Sequence, residues 1–469
     1  MNTISTDEIA ALAKALEGTG FPAEAAARWR DSYPEGASSL EADIERYASF
    51  WNQSGDLLQR LPRKPARSTS EASLAQALIR AARSTRDRFL RAHAPALYQR
   101  LTGGMRRALR VDELCYAAAL LAPGLVPTRA QVDAEAAFPQ RDKDGAEIDQ
   151  GLLLAHVLAD PACGCHLVQS MLLPRADALE RAPEFARTGR LELPGASVER
   201  IGRAAHVMLH NPRFLNAEDD STLAGFESAV DIALLDPDSQ VCVLRGDRVE
   251  HPKYAGRRIF GAGINLTHIY QGKMPYLWYM IRDLGVVNKL YRGLGTPGSD
   301  EFSGDSIEKL WIAAVEAFAI GGHCQLLLTM DYILAASDAY MSLPARKEGI
   351  IPGAANLRLP RFIGDRLARQ AVLYDRRFDC DSVEGRMICD RIVAPDEMDR
   401  VLDETVDGLT SSGVVSAAGN RRAFRIAQEP IDEFRRYMSV YAREQALCHF
   451  SPALIANLER HWDAKNRRG

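Results

Sequence analysis

Ile320-Gly321-Gly322-His323-Cys324-Gln325-Leu326 sets two glycines directly ahead of an apolar helical run. Paired glycines let backbone approach a ligand closely, and the first N–H groups of a helix lack intrahelical acceptors, so they favour developing negative charge. The segment reads either as half of an oxyanion hole or as a tight helix start, and a second donor elsewhere is needed to choose. Residues 239–246 read as a buried strand ending on glycine, and residues 311–320 as another. Residues 198–209 read as a hairpin and 218–235 as an amphipathic helix. The alternation continues through 257–261, and a long helical insertion is expected at 272–294. Strand, crossover helix and strand in this order argue an α/β layer with right-handed connections, where ligands sit beyond the carboxyl ends of the strands. The turn Phe260-Gly261-Ala262-Gly263-Ile264-Asn265-Leu266 then falls at the same end as Gly321, so two N–H donors are expected to converge on one oxygen.

Composition narrows the class. A chain of 469 residues, 46% hydrophobic and 26% charged, is long enough for several globular domains with a large core. A net charge of −4 supplies no field for a polyanion, which argues against nucleic acid as a partner. Asp7, Glu8 and Lys14 interrupt the first apolar residues, unlike a signal peptide, and no stretch approaches the roughly 20 apolar residues of a membrane span. A cytoplasmic protein without a membrane partner is the expectation. The eight cysteines lack regular spacing and read as reduced thiols. Cys163-Gly164-Cys165-His166 is the cluster that invites a metal, but it lacks a second Cys/His pair at zinc spacing, and HExxH is absent, so no metal site is expected.

From about Thr6 to Arg187 the chain is rich in Ala, Leu, Arg and Glu at helical spacing, and an all-helical N-terminal domain over residues 1–190 is expected. It is broken at Leu61-Pro62-Arg63-Lys64-Pro65 and by a charged loop from Phe138 to Gly145. The basic run from Arg60 to Arg67 reads as a solvated linker or as a phosphate patch. The α/β domain is assigned to residues 191–430, and residues 431–469 to a C-terminal helical segment at an oligomer interface.

Several ordered blocks carry a resemblance. Val198-Glu199-Arg200, His210 to Ala217, the Phe-Gly-Ala-Gly-Ile-Asn turn, Ile312-Ala313-Ala314-Val315 running to Gly321-Gly322-His323-Cys324, Asp331 to Ala336, Leu343-Pro344, Gly349 to Gly353 and Arg358-Leu359-Pro360-Arg361 together resemble the crotonase (enoyl-CoA hydratase/isomerase) superfamily over residues 195–430. The resemblance implies a spiral core of ββα turns, a homo-trimer or a homo-hexamer built as a dimer of trimers, an acyl-CoA substrate, and an oxyanion hole made by the N–H groups of Ile264 and Gly322.

The departures carry the chemistry. Where hydratases of the superfamily place two glutamates, this chain holds Gln325 and Ala345. Glutamine is no general base and alanine has no titratable group, so hydration loses both carboxylates. An enolate held by two N–H donors would then be open to another electrophile, and molecular oxygen is one candidate. The helical half, His251 to Arg258 and Trp278 to Asp283 are similar to the family of (3,5-dihydroxyphenyl)acetyl-CoA 1,2-dioxygenases of glycopeptide antibiotic biosynthesis. That resemblance implies a dioxygenase using neither metal nor organic cofactor, which turns the arylacetyl-CoA and O2 into the arylglyoxylate and CoA. Another crotonase-type acyl-CoA enzyme (thioesterase, decarboxylase or isomerase) and a non-catalytic acyl-CoA-binding protein stay as alternatives.

By the same resemblance His251, Pro252, Lys253 and Tyr254 contact CoA, and Ala262, Gly263, Asn265 and Leu266 belong to the oxyanion turn. Glu218, Arg282 and Gln325 are candidates to bind the ring hydroxyls, and Ile350, Ile351, Pro352 and Gly353 to form an apolar oxygen pocket. Glu218 reads equally as a first-turn helix carboxylate, Arg282 as a surface arginine of an insertion helix, and His323 as a packed side chain. No residue is nominated as the base that takes the α-proton. The helical half is expected to close the acyl pocket against water.

Overall fold

The computed structural model describes residues 4–467 apart from 37, 255, 304 and 413. The chain divides into two compact units: one of residues 1–167, 271–277 and 439–450, the other of residues 168–270, 278–438 and 451–469.

The first unit is helical. Its longest helix, Thr69–Leu101, starts on a capping box in which Ser68 and Glu71 satisfy each other's backbone N–H groups. Around it Trp51, Phe89 and Tyr47 pack ring to ring, and Asp149 pairs with Arg83 and Arg86 at 2.9 and 2.7 Å. Two excursions of the chain complete this unit through buried hydrogen bonds. Tyr276 donates its N–H to Glu147 and its hydroxyl to the Ala442 carbonyl, and Gln140 donates to the His449 carbonyl. The basic run is a linker, with Arg67 forked onto Asp144 and Lys64 on the Lys143 carbonyl. Cys163-Gly164-Cys165-His166 lies inside the helix Pro161–Leu172, where the His166 ring bonds the Tyr98 hydroxyl.

The second unit is built on a seven-stranded sheet and a three-stranded one. In chain order the strands are β1 Arg190–Leu193, β2 Ala196–Ile201, β3 Ala204–Leu209, β4 Val241–Gly246, β5 Leu310–Val315, β6 Phe318–Ile320, β7 Tyr332–Ala336, β8 Tyr340–Ser342, β9 Phe378–Asp379 and β10 Arg391–Val393. The large sheet runs β1-β2-β3-β4-β5-β7-β10, antiparallel through the β2–β3 hairpin and parallel from β3 onward; the small one runs β6-β8-β9. β4 is buried along its whole length, as parallel strands covered on both faces are.

Three local expectations need correction. The stretch 311–320 is two strands, because Ala317 takes φ 59° and turns the chain from the large sheet into the small one. The helix expected from Glu218 begins at Leu223, and it is buried nearly all round rather than amphipathic. Residues 257–261 form isolated bridges rather than a strand, at Arg258 with Arg248 and at Gly261 with Ala319.

Candidate active site

The two glycine turns meet. Gly261 bridges Ala319 in the middle of β6, and Gly263 is so close to the second turn that a Cβ on it would lie 2.7 Å from the Ile320 carbonyl oxygen and 3.2 Å from the Gly322 nitrogen. Gly263 at φ 82° and Gly321 at φ 55° hold backbone conformations that other residues reach only under strain.

Hydrogen bonds on either side leave the Ile264 N–H free in the first turn and the Gly322 N–H among those free in the second. Glu218 N–H donates to the Gly263 carbonyl and its own carbonyl accepts from Asn265, both at 2.8 Å, so the intervening Ile264 N–H is turned the other way. In the second turn Gly321 donates to the Ser342 carbonyl at 2.8 Å, and its carbonyl accepts from Gln325 at 3.1 Å. Gly322 then opens the helix Gly322–Leu327. Neither Ile264 nor Gly322 donates its N–H to an acceptor among the described residues.

One ion pair ties the two turns together. Arg282 forks onto Glu218 through Nε at 2.8 Å and Nη2 at 2.7 Å, and Nη2 also donates to the Gly322 carbonyl at 2.8 Å. Nη1 donates to Asp283 and to the Gln325 side-chain oxygen, each at 3.0 Å. Backbone Glu218 therefore aligns Ile264 while its carboxylate, through Arg282, holds Gly322. Arg282 is 1% exposed, which removes the surface-arginine reading, and the helix begins only at Leu223, which removes the first-turn reading of Glu218. Burial, the largest influence on Glu218, pushes its carboxyl up, but the charge and hydrogen bonds of Arg282 outweigh it and leave it below the ordinary value.

His323 supports the first turn. Its Nδ1 accepts the Gly263 N–H at 3.0 Å, so the ring is neutral with its proton on Nε2, and burial lowers it to about 4. The 3.9 Å approach of Nδ1 to Glu218 is therefore no ion pair. Nε2 has no hydrogen-bond partner among the described residues and sits against Gly261, where a Cβ would lie 2.2 Å away.

Of the residues nominated from sequence, Glu218, Gly263, Ile264, Arg282, Gly322, Gln325 and Gly353 converge. A Cβ on Gly353 would lie 2.4 Å from the Gln325 side-chain oxygen and 2.9 Å from Asp283. Ile350, Pro352 and Gly353 are buried and Ile351 is half-buried. His251, Pro252 and Lys253 are exposed in a turn beside these elements, and Tyr254 packs edge-on to Phe318 of β6 at 5.5 Å. Ala262 is half-buried, while Leu266 is buried and Asn265 spends its amide on Asp219. Two acids escaped sequence reasoning: Asp283, the neighbour of a nominated arginine, and Glu348, which stands three residues after Ala345 on the short helix Ala345–Glu348.

Two amides converging from strand-end turns suit the polarising of a carbonyl oxygen, and residues 200–429 match the model of the enoyl-CoA hydratase/isomerase family. A short-chain-enoyl-CoA hydratase of Clostridium acetobutylicum is 26% identical over 235 residues, covering 50% of this chain and 82% of that one. The crystal structure of an enoyl-CoA hydratase from Mycobacterium avium subsp. paratuberculosis aligns with 57% of this chain and 98% of that chain, at 19% identity and a TM-score of 0.47. The similarity to the (3,5-dihydroxyphenyl)acetyl-CoA 1,2-dioxygenase of Amycolatopsis orientalis reaches 47% over 404 residues, covering 86% of this chain and 92% of that relative. The chain belongs to the crotonase superfamily and, within it, to the family of that dioxygenase.

Proposed function

We propose that the protein converts (3,5-dihydroxyphenyl)acetyl-CoA and O2 into (3,5-dihydroxyphenyl)glyoxylate and CoA, without metal or organic cofactor. The observation that carries this reading is the pair of unpartnered amides, Ile264 and Gly322, beside Gln325 in the position of a hydratase glutamate. The 47% identity to the dioxygenase, over a stretch that includes much of the helical unit, supports the same substrate and reaction.

Two N–H donors aimed at the thioester oxygen stabilise the enolate more than the ground state, and the loss of one such donor typically costs a factor of about 10²–10³ in rate. All five N–H groups of Arg282 are committed within the protein, so it positions rather than binds. By accepting from Arg282, the Gln325 oxygen turns its NH2 away, and that NH2 has no acceptor among the described residues. It is the donor we assign to a ring hydroxyl. His251 and Lys253, exposed and cationic when protonated, suit the CoA phosphates, and buried Ile350 and Pro352 suit a nonpolar diatomic.

Both α-hydrogens leave as protons, one ending on the CoA sulfur and one released with the carboxylate, while the two atoms of O2 become the keto oxygen and one carboxylate oxygen. We further propose that the enzyme works in the cytoplasm as a trimer or hexamer; exposed Val415 and Phe424, at 87% and 65%, are apolar surface that an assembly would cover. Among the described residues no single helix is long and apolar enough to cross a membrane.

The test is oxygen consumption by metal-stripped protein supplied with the arylacetyl-CoA. One O2 consumed per CoA released is expected; CoA release without oxygen uptake would identify another crotonase-type reaction.

A further inference from the structure

The enolate needs a base, and most groups around the hole are already engaged. Both oxygens of Glu218 are held by Arg282, Asp283 also accepts from Arg282, and His323 Nδ1 accepts from Gly263. Asp219, behind the first turn, accepts from Asn211, Asn265 and Ser221.

Glu348 differs from all of these. It is 9% exposed, and its carboxyl makes no hydrogen bond or ion pair among the described residues. A Cβ placed on Gly321 would lie 3.6 Å from one Glu348 oxygen, 4.0 Å from the other and 3.8 Å from the Gly263 Cα, so the carboxyl shares that face of Gly321 with the first turn. The next residues in sequence are Ile350 and the Pro352-Gly353 turn that packs on Gln325 and Asp283.

We propose that Glu348 is the base that takes the α-proton of the thioester, a role that rests on the arylacetyl-CoA reading above. The Cα–H bond breaks, its electron pair moves onto the thioester oxygen between the Ile264 and Gly322 amides, and the proton passes to a Glu348 oxygen. The protonated carboxyl later returns that proton to the departing CoA thiolate, which restores the carboxylate.

The surroundings suit this work. Burial and then the negative charge of Asp375 push the Glu348 carboxyl up to about 7. A base poised near the operating pH combines a useful ionised fraction with driving force for proton transfer. The cations on its own helix do not hold it ionised, because Arg346 and Lys347 turn to Asp375 at 2.7 and 3.7 Å. The residues packed across from the end of this helix, Leu454 and Asn457, are uncharged. Ala345, at the position where hydratases carry their second glutamate, leaves Glu348 as the carboxyl this short helix offers.

The experiment follows exchange of the α-hydrogens of the arylacetyl-CoA into deuterium oxide under anaerobic conditions, by mass spectrometry, in the parent and in Glu348→Gln and Glu348→Asp. Glu348→Gln should slow exchange about 10²–10⁴-fold with the substrate dissociation constant within threefold of the parent, while Glu348→Asp keeps an intermediate rate. The parent's exchange should show a pH limb near 7. Exchange in Glu348→Gln within threefold of the parent, or a limb near 7 that survives in it, overturns the assignment. Should Glu348→Gln fail to fold, an exchange rate in Glu348→Asp equal to the parent's, with the limb unmoved, overturns it as well. Oxygen uptake is measured separately. A parent that exchanges through Glu348 without consuming oxygen sinks the dioxygenase reading and leaves the base standing, whereas one that consumes oxygen while Glu348→Gln exchanges normally sinks the base alone. A parent that does neither sinks both.

Discussion

Two of the site's buried carboxyls, Glu218 and Glu348, face opposite circumstances. On one side Glu218 is clamped by a guanidinium through two hydrogen bonds; on the other Glu348 pairs with no cation among the described residues. Both lose hydration, which by itself pushes each toward the neutral acid. Arg282 reverses that push for Glu218, which stays ionised and acts as a fixed element joining the two amide turns. Nothing reverses it for Glu348, which is left able to give and take a proton near neutral pH. Burial at similar depth thus yields a structural charge in one place and a titrating group in the other, and the partner decides which.

The largest way to break this contrast is Glu218→Ala, which removes the carboxylate that Arg282 grips through two hydrogen bonds and leaves Asp283 as its acidic partner. Loss of a partner from a buried pair costs about 3–5 kcal/mol, so chemical denaturation should show that drop, and a midpoint equal to the parent's would mean that Arg282 is not held by this pair. Next in size is Gly263→Ala. The new Cβ would press on the Ile320 carbonyl at 2.7 Å in a left-handed conformation and displace the Ile264 amide. We expect kcat to fall about 10²–10³-fold with KM little changed, since the hole acts chiefly on the enolate.

The pH dependence of stability separates the two acids by sign. The depressed Glu218 contributes stability that is present above its unfolded value and is lost as pH falls through its folded value. The raised Glu348 behaves oppositely: between its unfolded value of 4.5 and about 7, its ionisation progressively opposes folding. Relative to the parent, Glu348→Gln should therefore gain stability as pH rises from 5 to 8, by on the order of 2–3 kcal/mol, read from melting curves at each pH. A gap that does not change with pH would show that Glu348 keeps an ordinary value. The smallest effect is expected from Ile350→Val, about 1 kcal/mol of stability, together with a raised KM for oxygen at an unchanged exchange rate.

Much of the site was legible because its parts are backbone features with a sequence signature. Gly321-Gly322 and Gly261 to Gly263 announce themselves, since glycine alone reaches those conformations and close approaches without strain. Gln325 was legible as an absence of acid. Glu218 was legible as a candidate and misplaced in context, because a carboxylate just ahead of an apolar run resembles a helix start, whereas this one bridges Ile264. Glu348 was invisible: nothing in Arg346-Lys347-Glu348 distinguishes a charged surface turn from one in which the two cations turn to Asp375 and the acid turns inward.

The amino-acid order alone pointed to a helical region ahead of an α/β one and to the two glycine turns, because these follow from periodicity and glycine placement; the expected bounds at 190 and 430 are not those of the two compact units, which exchange the segments 168–190, 271–277 and 439–450. Only the tertiary structure decided which charges are paired. Whether a carboxyl is clamped, as Glu218 is by Arg282 64 residues away, or left beside Gly321 without a cation depends on groups brought together across the chain. Coulomb and desolvation energies follow distance and burial in space, and neither is written in the local sequence.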